Sequence, residues 1–121
     1  LIGGTAVRDR RLQVRRALQK VGLLAYEQQL PDSLSAGEQQ RVGIARAIVT
    51  QPSLLIADEP TGNLDPQLAV DIMGLFVEVQ TAGTTVLIAS HDLPLIKRMK
   101  RRVIVLDHGH LVADLAAREI L

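Results

Sequence analysis

Two adjacent carboxylates, Asp58 and Glu59, directly follow the largely apolar run 53–57. Such a run, bounded by turn-forming residues, is typical of a strand buried in a parallel sheet, and ligands bind beyond the carboxyl ends of these strands. Asp58 is suited to hold a hydrated Mg²⁺, and Glu59 is suited to orient or deprotonate an attacking water. The alternative is that both are solvated loop carboxylates. The tripeptide Pro-Thr-Gly that follows them favours the metal and water chemistry.

Ser35 and Gly37 form a second candidate site, at the expected start of a helix. A hydroxyl, free backbone N–H groups and the positive end of a helix dipole can bind an anion such as phosphate. Glu38 lies three residues after Ser35, which is the spacing of a capping box. Capping and phosphate binding use the same groups, so the spacing leaves both interpretations open. This loop, the Asp58-Glu59 pair, and the downstream residues Asp65 and His91 together indicate nucleotide chemistry shared between two molecules.

Hydrophobic periodicity and the positions of glycine and proline predict the elements that position these residues. We expect an α/β fold with helices at about 8–21, 36–50, 67–80, 93–100 and 115–121, and strands at 53–57, 84–89, 103–106 and 111–113. Gly22 and Gly83 are placed to stop the helices before them. The first two strands and the helix between them predict a βαβ crossover, with both strands buried on both faces. Asp58 and His91 would then face one crevice at the carboxyl edge.

Composition excludes several classes of partner and site. The chain has 121 residues with 47% hydrophobic content, which suits one packed domain or part of one. Its 14 basic and 13 acidic residues give a net charge of +1, so no overall field favours nucleic acid or a membrane surface. The absence of cysteine removes disulfides and thiolate metal sites. No apolar run approaches the roughly 18 residues of a membrane span. A start without Met is expected of a fragment or an incomplete gene model.

Four motifs resemble those of the ATP-binding cassette ATPases and occur in that family's order. They are the signature motif LSAGEQQRVGIARA at 34–47, the Walker B motif LLIADEP at 54–60, the D-loop GNLD at 62–65 and the switch-histidine loop SHD at 90–92. The resemblance implies a P-loop NTPase-like parallel sheet. Residues 1–50 would be part of the helical subdomain, and residues 51–121 would be the C-terminal part of the ATPase core.

The resemblance also implies that the signature loop and the D-loop serve a dimer. Ser35 and Gly37, with Glu38 beside them, would contact the γ-phosphate of ATP held by a second subunit. Asp65 would lie at the interface of this head-to-tail dimer and couple its two composite sites. Residues 39–41 would begin the signature helix and would be more structural than chemical.

The remaining motif residues would act on the nucleotide of the same chain. By the resemblance, Asp58 would coordinate Mg²⁺, Glu59 would act as the general base, and His91 would contact the γ-phosphate. ATP and Mg²⁺ are therefore the implied cofactors.

The chain departs from the family pattern in three ways. Ala36 stands where the commonest signature motif has Gly, and Glu38 where it often has Gln. The 121 residues contain no G-x-x-x-x-G-K-[ST] phosphate loop and no recognisable Q-loop, and Tyr26 lies in the wrong region for base stacking. The N-terminal half with the phosphate loop is therefore expected to be absent. We expect this polypeptide alone to be inactive and poorly stable, because the strand at 103–106 would lack the phosphate-loop strand as a neighbour. We expect the intact protein to be an ATPase.

The motif set most resembles the small cassette ATPases that pair with separate membrane subunits. Those of bacterial cell division, at the cytoplasmic face of the inner membrane, are the first expectation. ATPase subunits for lipoprotein release or macrolide export are the alternative. Chromosome-maintenance and DNA-repair ATPases fit less well, because a short helix and not a long coiled coil precedes the signature motif, so no nucleic-acid partner is expected. A non-catalytic interaction fragment remains open for this polypeptide.

Overall fold

A computed structural model describes residues 7–120 of the chain. The helices are Val7–Lys20 (α1), Ala36–Ile48 (α2), Pro66–Thr81 (α3) and Leu93–Met99 (α4), and the strands are Leu54–Asp58 (β1), Thr85–Ala89 (β2), Val103–Asp107 (β3) and His110–Leu115 (β4). Single 3₁₀ turns lie at Leu24–Tyr26, Pro31–Ser33 and Ala117–Glu119. The chain divides into two compact units, one ending at Ile88 and the other beginning at Ala89. The predicted α/β class is confirmed.

The first unit contains the predicted βαβ arrangement except for Ala89, the last residue of β2. Strands β1 and β2 are hydrogen-bonded neighbours in a parallel sheet, and α3 connects them. The two strands begin side by side, because the Thr85 N–H donates to the Ser53 carbonyl at 2.9 Å. The Thr84 hydroxyl donates to the Pro52 carbonyl at 3.1 Å one step earlier. The carboxyl ends of β1 and β2 therefore point in the same direction.

The prediction that β1 and β2 are buried on both faces is wrong. Leu55 is 5% exposed, whereas Leu54 and Ile56 on the other face of the strand are 50% and 67% exposed. Successive side chains of a strand point to opposite faces. Only the face that carries Leu55 is packed within the described residues. The core of this unit is mainly helical and includes Val21, Leu23, Ile44, Ile48, Ile72, Met73 and Phe76.

Gly22 and Gly83 end α1 and α3 as predicted. Gly22 has φ +78°, its N–H donates to the Gln19 carbonyl at 3.0 Å, and the next N–H, of Leu23, donates to the Leu18 carbonyl at 2.8 Å. This pair of bonds is the Schellman motif, which needs a left-handed residue that glycine adopts without steric cost. Gly83 repeats the motif at the end of α3 with φ +114°.

The second unit contains α4 and an antiparallel hairpin of β3 and β4. The predicted tight turn and return strand are confirmed, and β3 and β4 form a two-stranded sheet. Its turn residues His108 and Gly109 both have positive φ, at 49° and 77°, which suits the right-handed twist of a two-residue hairpin.

The predicted helix at 115–121 is also wrong within the described residues. Leu115 is the last residue of β4, and only the single turn Ala117–Glu119 follows. The pairing of Leu115 with Val103 extends β4 into the start of this segment. Its polar backbone groups are satisfied in other ways, since the Glu119 carboxylate accepts the Ala116 N–H and the Ile120 carbonyl accepts from Lys100.

Candidate functional site

Ser35 is the N-cap of α2, as predicted. Its backbone is extended, with φ −65° and ψ 166°, and its hydroxyl accepts the Glu38 N–H at 3.2 Å. In return the Ser35 N–H donates to a carboxylate oxygen of Glu38 at 2.9 Å. Two N–H groups that a helix start would leave unbonded are thus satisfied reciprocally.

The same helix start retains groups that fit an anion. The N–H groups of Ala36 and Gly37, the first two residues of α2, have no acceptor within residues 7–120. The Ser35 hydroxyl accepts in the capping box and so keeps its own hydrogen for donation. These three donors at a positive helix end suit a phosphate. The Glu38 carboxylate at the same place opposes such an anion.

Gln39 and Arg41 hold the loop and helix in place. The Gln39 side-chain amide donates to the carbonyls of Pro31 and Leu34 at 3.2 and 3.1 Å, which ties the loop to the helix that follows it. The Arg41 guanidinium donates to the Val21 carbonyl at 3.1 Å, at the C-terminal end of α1. Sequence reasoning expected structural roles here, but no local signal could name these carbonyl partners.

Gly37 is buried and lies against Leu68 of α3. A Cβ added at Gly37 would lie 3.3 and 3.4 Å from the two Leu68 methyl carbons and 3.9 Å from its Cγ. The lack of a side chain at Gly37 therefore permits a close approach between the first turns of α2 and α3. Sequence reasoning missed Leu68, because the contact joins residues 31 positions apart in the chain.

Asp65 is the N-cap of α3. Its carboxylate accepts the Leu68 N–H at 2.9 Å, and its carbonyl accepts the Ala69 N–H at 2.9 Å. Pro66 occupies the first helical position, where a missing N–H costs nothing. The family resemblance implied an interface role for Asp65, and the cap was not predicted, although Asp-Pro before an apolar run is a helix-start signal.

Asp58 and Glu59 differ sharply in backbone conformation. Asp58 is the last residue of β1, not the first beyond it, and is exposed. Glu59 is half-buried with φ 49°, and its carbonyl accepts the Gly62 N–H at 3.1 Å. A left-handed non-glycine residue costs on the order of 1–2 kcal/mol and is enriched at functional sites. The chain thus changes direction between the two carboxylates.

The described residues fit a magnesium ion that is bound mainly by phosphate oxygens and water and only in part by the protein. Between residues 7 and 120, no group of three or more His, Asp or Glu side chains could enclose a metal. Asp58 offers a single exposed carboxylate. Mg²⁺ usually takes one or two carboxylates and completes its shell with water and phosphate oxygens, so the donor set agrees with a nucleotide-bound ion.

His91 belongs to the second unit. It is exposed and lies between β2 and α4, next to Asp92, the N-cap of α4. The Asp92 carboxylate accepts the Leu95 N–H at 3.1 Å, and the Asp92 N–H donates to the Ser90 hydroxyl at 3.1 Å. Within the first unit, Leu68 links Gly37, which its side chain contacts, to Asp65, which accepts its N–H. A crevice shared by Asp58 and His91 stays a prediction.

The fold and the motif positions together define a class of protein. The sequence profile of the family described as ABC transporter matches residues 5–62. The solved structure of cbiO1 from Clostridium perfringens, part of the ABC transporter complex cbiONQ, superimposes with a TM-score of 0.88 at 33% identity over 98% of this chain and 48% of that one. The chain belongs to the ATP-binding cassette family.

Within that family the chain is similar to a cell-division protein. The cell division ATP-binding protein FtsE of Escherichia coli is 52% identical over 111 residues, which are 92% of this chain and 50% of the relative. FtsE of Mycobacterium tuberculosis is 52% identical over 101 residues, 84% of this chain and 44% of the relative. The chain thus spans about half the length of the curated relatives it matches. Across residues 7–120, no helix is long and apolar enough to cross a membrane.

Proposed function

We propose that this chain belongs to an FtsE-like ATPase, which hydrolyses ATP as a head-to-tail dimer and drives a membrane partner. The observation that carries the proposal is the 52% identity to FtsE over 92% of the chain. The donors at the start of α2 support it, because the Ser35 hydroxyl and the N–H groups of Ala36 and Gly37 suit a phosphate. In this proposal, residues 1–50 belong to the helical subdomain and residues 51–121 to the ATPase core.

The dimer-facing residues bind the nucleotide of the other subunit. Ser35 donates its hydroxyl hydrogen, and Gly37 its backbone N–H, to the terminal phosphate. Glu38 holds this loop through the capping box. Asp65 lies at the subunit interface, beside the signature loop of its own chain.

The remaining residues act on the nucleotide bound by their own subunit. Bound ATP with Mg²⁺ supplies the phosphoryl group and the cation that offsets its charge. Asp58 would hold the Mg²⁺, Glu59 would accept a proton from the attacking water, and His91 would hydrogen-bond the γ-phosphate.

The partner in this proposal is an FtsX-like integral membrane protein of bacterial cell division, at the cytoplasmic face of the inner membrane. The second candidate is the ATPase subunit of a lipoprotein-release or macrolide-export transporter. The similarity to cbiO1, which is a component of a transporter complex, supports this second candidate. The higher identity to FtsE, 52% against 33%, favours the first. A neighbouring reading frame with four transmembrane segments would support an FtsX-type partner.

The central experiment measures magnesium-dependent ATP turnover by the full-length gene product and by its Glu59→Gln variant. Loss of a general base typically lowers turnover by roughly 10²- to 10⁴-fold. The genomic sequence upstream of residue 1 should encode an in-frame phosphate loop. A start codon near residue 1, or turnover unaffected by Glu59→Gln, would contradict the proposal.

The isolated 121-residue chain and a Ser35→Arg variant provide two further tests. The isolated chain should show no Glu59-dependent turnover, and measurable turnover that Glu59→Gln abolishes would refute that expectation. In the full-length product, Ser35→Arg should block ATP-driven dimerisation and leave nucleotide binding by the monomer largely intact. Equal loss of both would count against action in trans.

A further inference from the structure

The first turns of α2 and α3 contact each other through one side chain. Gly37 is the second residue of α2, and Leu68 is the third residue of α3. All three outer carbons of Leu68 lie within 4 Å of the position that a Cβ at Gly37 would take. Leu68 thus lies against Gly37, one of the two residues of the signature loop whose N–H groups are free.

The backbone of Leu68 contacts the other loop. Its N–H donates to the Asp65 carboxylate at 2.9 Å, so the residue that packs on the signature loop is also held by the D-loop. The side chain and the backbone N–H of one residue therefore connect two loops that are far apart in sequence.

We propose that Leu68 is a positioning residue that fixes the spacing between the signature loop and the D-loop of one chain. The inference rests on the proposed function, in which both loops meet the second subunit. Dense side-chain contacts transmit small displacements because packed interiors resist compression. A shift of Asp65 at the dimer interface would then shift Gly37, and the two composite sites would assemble together.

The other helical glycines of the first unit show that this contact is specific. A Cβ at Gly43 in α2, or at Gly74 in α3, would meet no atom within 4 Å. Gly37 differs because it lies on the face that packs against α3. Gly43→Ala is therefore a matched control for Gly37→Ala, since both add one methyl group to the same helix.

The experiment measures ATP turnover, its Hill coefficient, and ATP-driven dimerisation by the full-length gene product. Leu68→Ala should lower kcat about tenfold and move the Hill coefficient towards 1, because misplacement of binding groups by about 1 Å is costly. Nucleotide binding by the monomer should stay within about twofold, because in the proposed function the signature loop acts on the nucleotide of the other subunit. KM should also stay within about twofold, because Ser35 and the backbone donors remain. Leu68→Met, which keeps a long apolar side chain, should behave like the wild type.

A double substitution tests the contact itself. Gly37→Ala should also lower kcat, and Gly37→Ala combined with Leu68→Ala should recover turnover, because the second change removes the carbons that the first would crowd. Gly43→Ala should leave turnover unchanged. If Leu68→Ala does not fold, Leu68→Val, which shortens the side chain by one carbon, takes its place.

The outcomes separate this inference from the proposed function. Wild-type turnover that is insensitive to Glu59→Gln overturns the proposed function. Glu59-dependent turnover with an unchanged kcat and Hill coefficient in Leu68→Ala overturns the inference alone. The inference also fails if the double variant is no more active than Gly37→Ala, or if Gly43→Ala impairs turnover equally.

Discussion

The backbone N–H of Ser35 donates to the Glu38 carboxylate, and the Ser35 hydroxyl accepts the Glu38 N–H, at 2.9 and 3.2 Å. This reciprocal pair stabilises the start of α2 and places a negative charge beside the Ala36 and Gly37 N–H groups. A carboxylate at a helix N-terminus interacts favourably with the helix dipole. It also repels an incoming phosphate, so stability and anion affinity are opposed at Glu38.

Glu38→Gln should separate these two effects. A glutamine can keep the bond from the Ser35 N–H, and loss of the charge should lower the unfolding free energy by about 0.5 kcal/mol. ATP-driven dimerisation of the full-length product should become about fivefold tighter, since unit charges roughly 4 Å apart in water repel by about 1 kcal/mol. Light scattering over an ATP titration measures this dimerisation.

Salt and a second variant serve as controls for this prediction. High salt should shrink the difference in dimerisation, because it screens exposed charges. Ser35→Ala should instead lower the unfolding free energy by about 1 kcal/mol and weaken dimerisation. Weaker dimerisation in Glu38→Gln would mean that the carboxylate contributes to nucleotide binding directly.

Local signals allowed much of the candidate site to be predicted from the sequence. Ser35 with Glu38 three residues later specifies a helix start, and Gly22 specifies a helix end, because each satisfies backbone groups within a few residues. The order of the motifs identified the family.

Features that depend on distant contacts were not predictable. The apolar run around Ile56 looks buried on both faces, but exposure depends on what covers the sheet. Leu68 carries no sequence signal for its contact with Gly37. The positive φ of Glu59 was also missed, because glutamate has no preference for that conformation.

Alanine at Gly22 and at Gly43 should change stability in opposite directions. Gly22 has φ +78°, where an L-residue is disfavoured by about 1–2 kcal/mol, so Gly22→Ala should lower the unfolding free energy by about that amount. Gly43 lies inside α2 with open space around it, so Gly43→Ala should raise it by about 0.5–1 kcal/mol. Urea unfolding of the full-length variants measures both. Changes of the same sign in the unfolding free energy of the two variants would refute this prediction.

The ion pair between Arg102 and Asp114 should make the hairpin sensitive to acid. The guanidinium donates to both carboxylate oxygens, at 2.9 and 2.7 Å, and these hydrogen bonds lower the pKa of Asp114 below its usual value. Protons therefore bind the unfolded chain more readily than the folded one. The stabilisation is present above the unfolded pKa of about 3.9 and is lost as the pH falls through the lower folded pKa.

Asp114→Asn tests this dependence. The urea midpoint of the variant should lie slightly below that of the wild type at pH 7, and the two should converge below about pH 4. The difference should be small, because both side chains are largely exposed. Arg101→Gln is the control, since Arg101 is exposed and has no ion-pair partner between residues 7 and 120. A difference that persists at low pH would exclude the ion pair as its cause.

Glycine and alanine at Glu59 should reveal the strain in its backbone. Both substitutions remove the carboxylate and whatever the side chain binds, so their difference reports the conformation at φ 49°. Because an L-residue pays about 1–2 kcal/mol in this region and glycine does not, Glu59→Gly should be more stable than Glu59→Ala by about 1 kcal/mol in urea unfolding. Neither variant should hydrolyse ATP. At position 43, inside α2, alanine should instead be more stable than glycine. If the alanine variant at position 59 is also at least as stable as the glycine variant, the backbone of Glu59 is not strained.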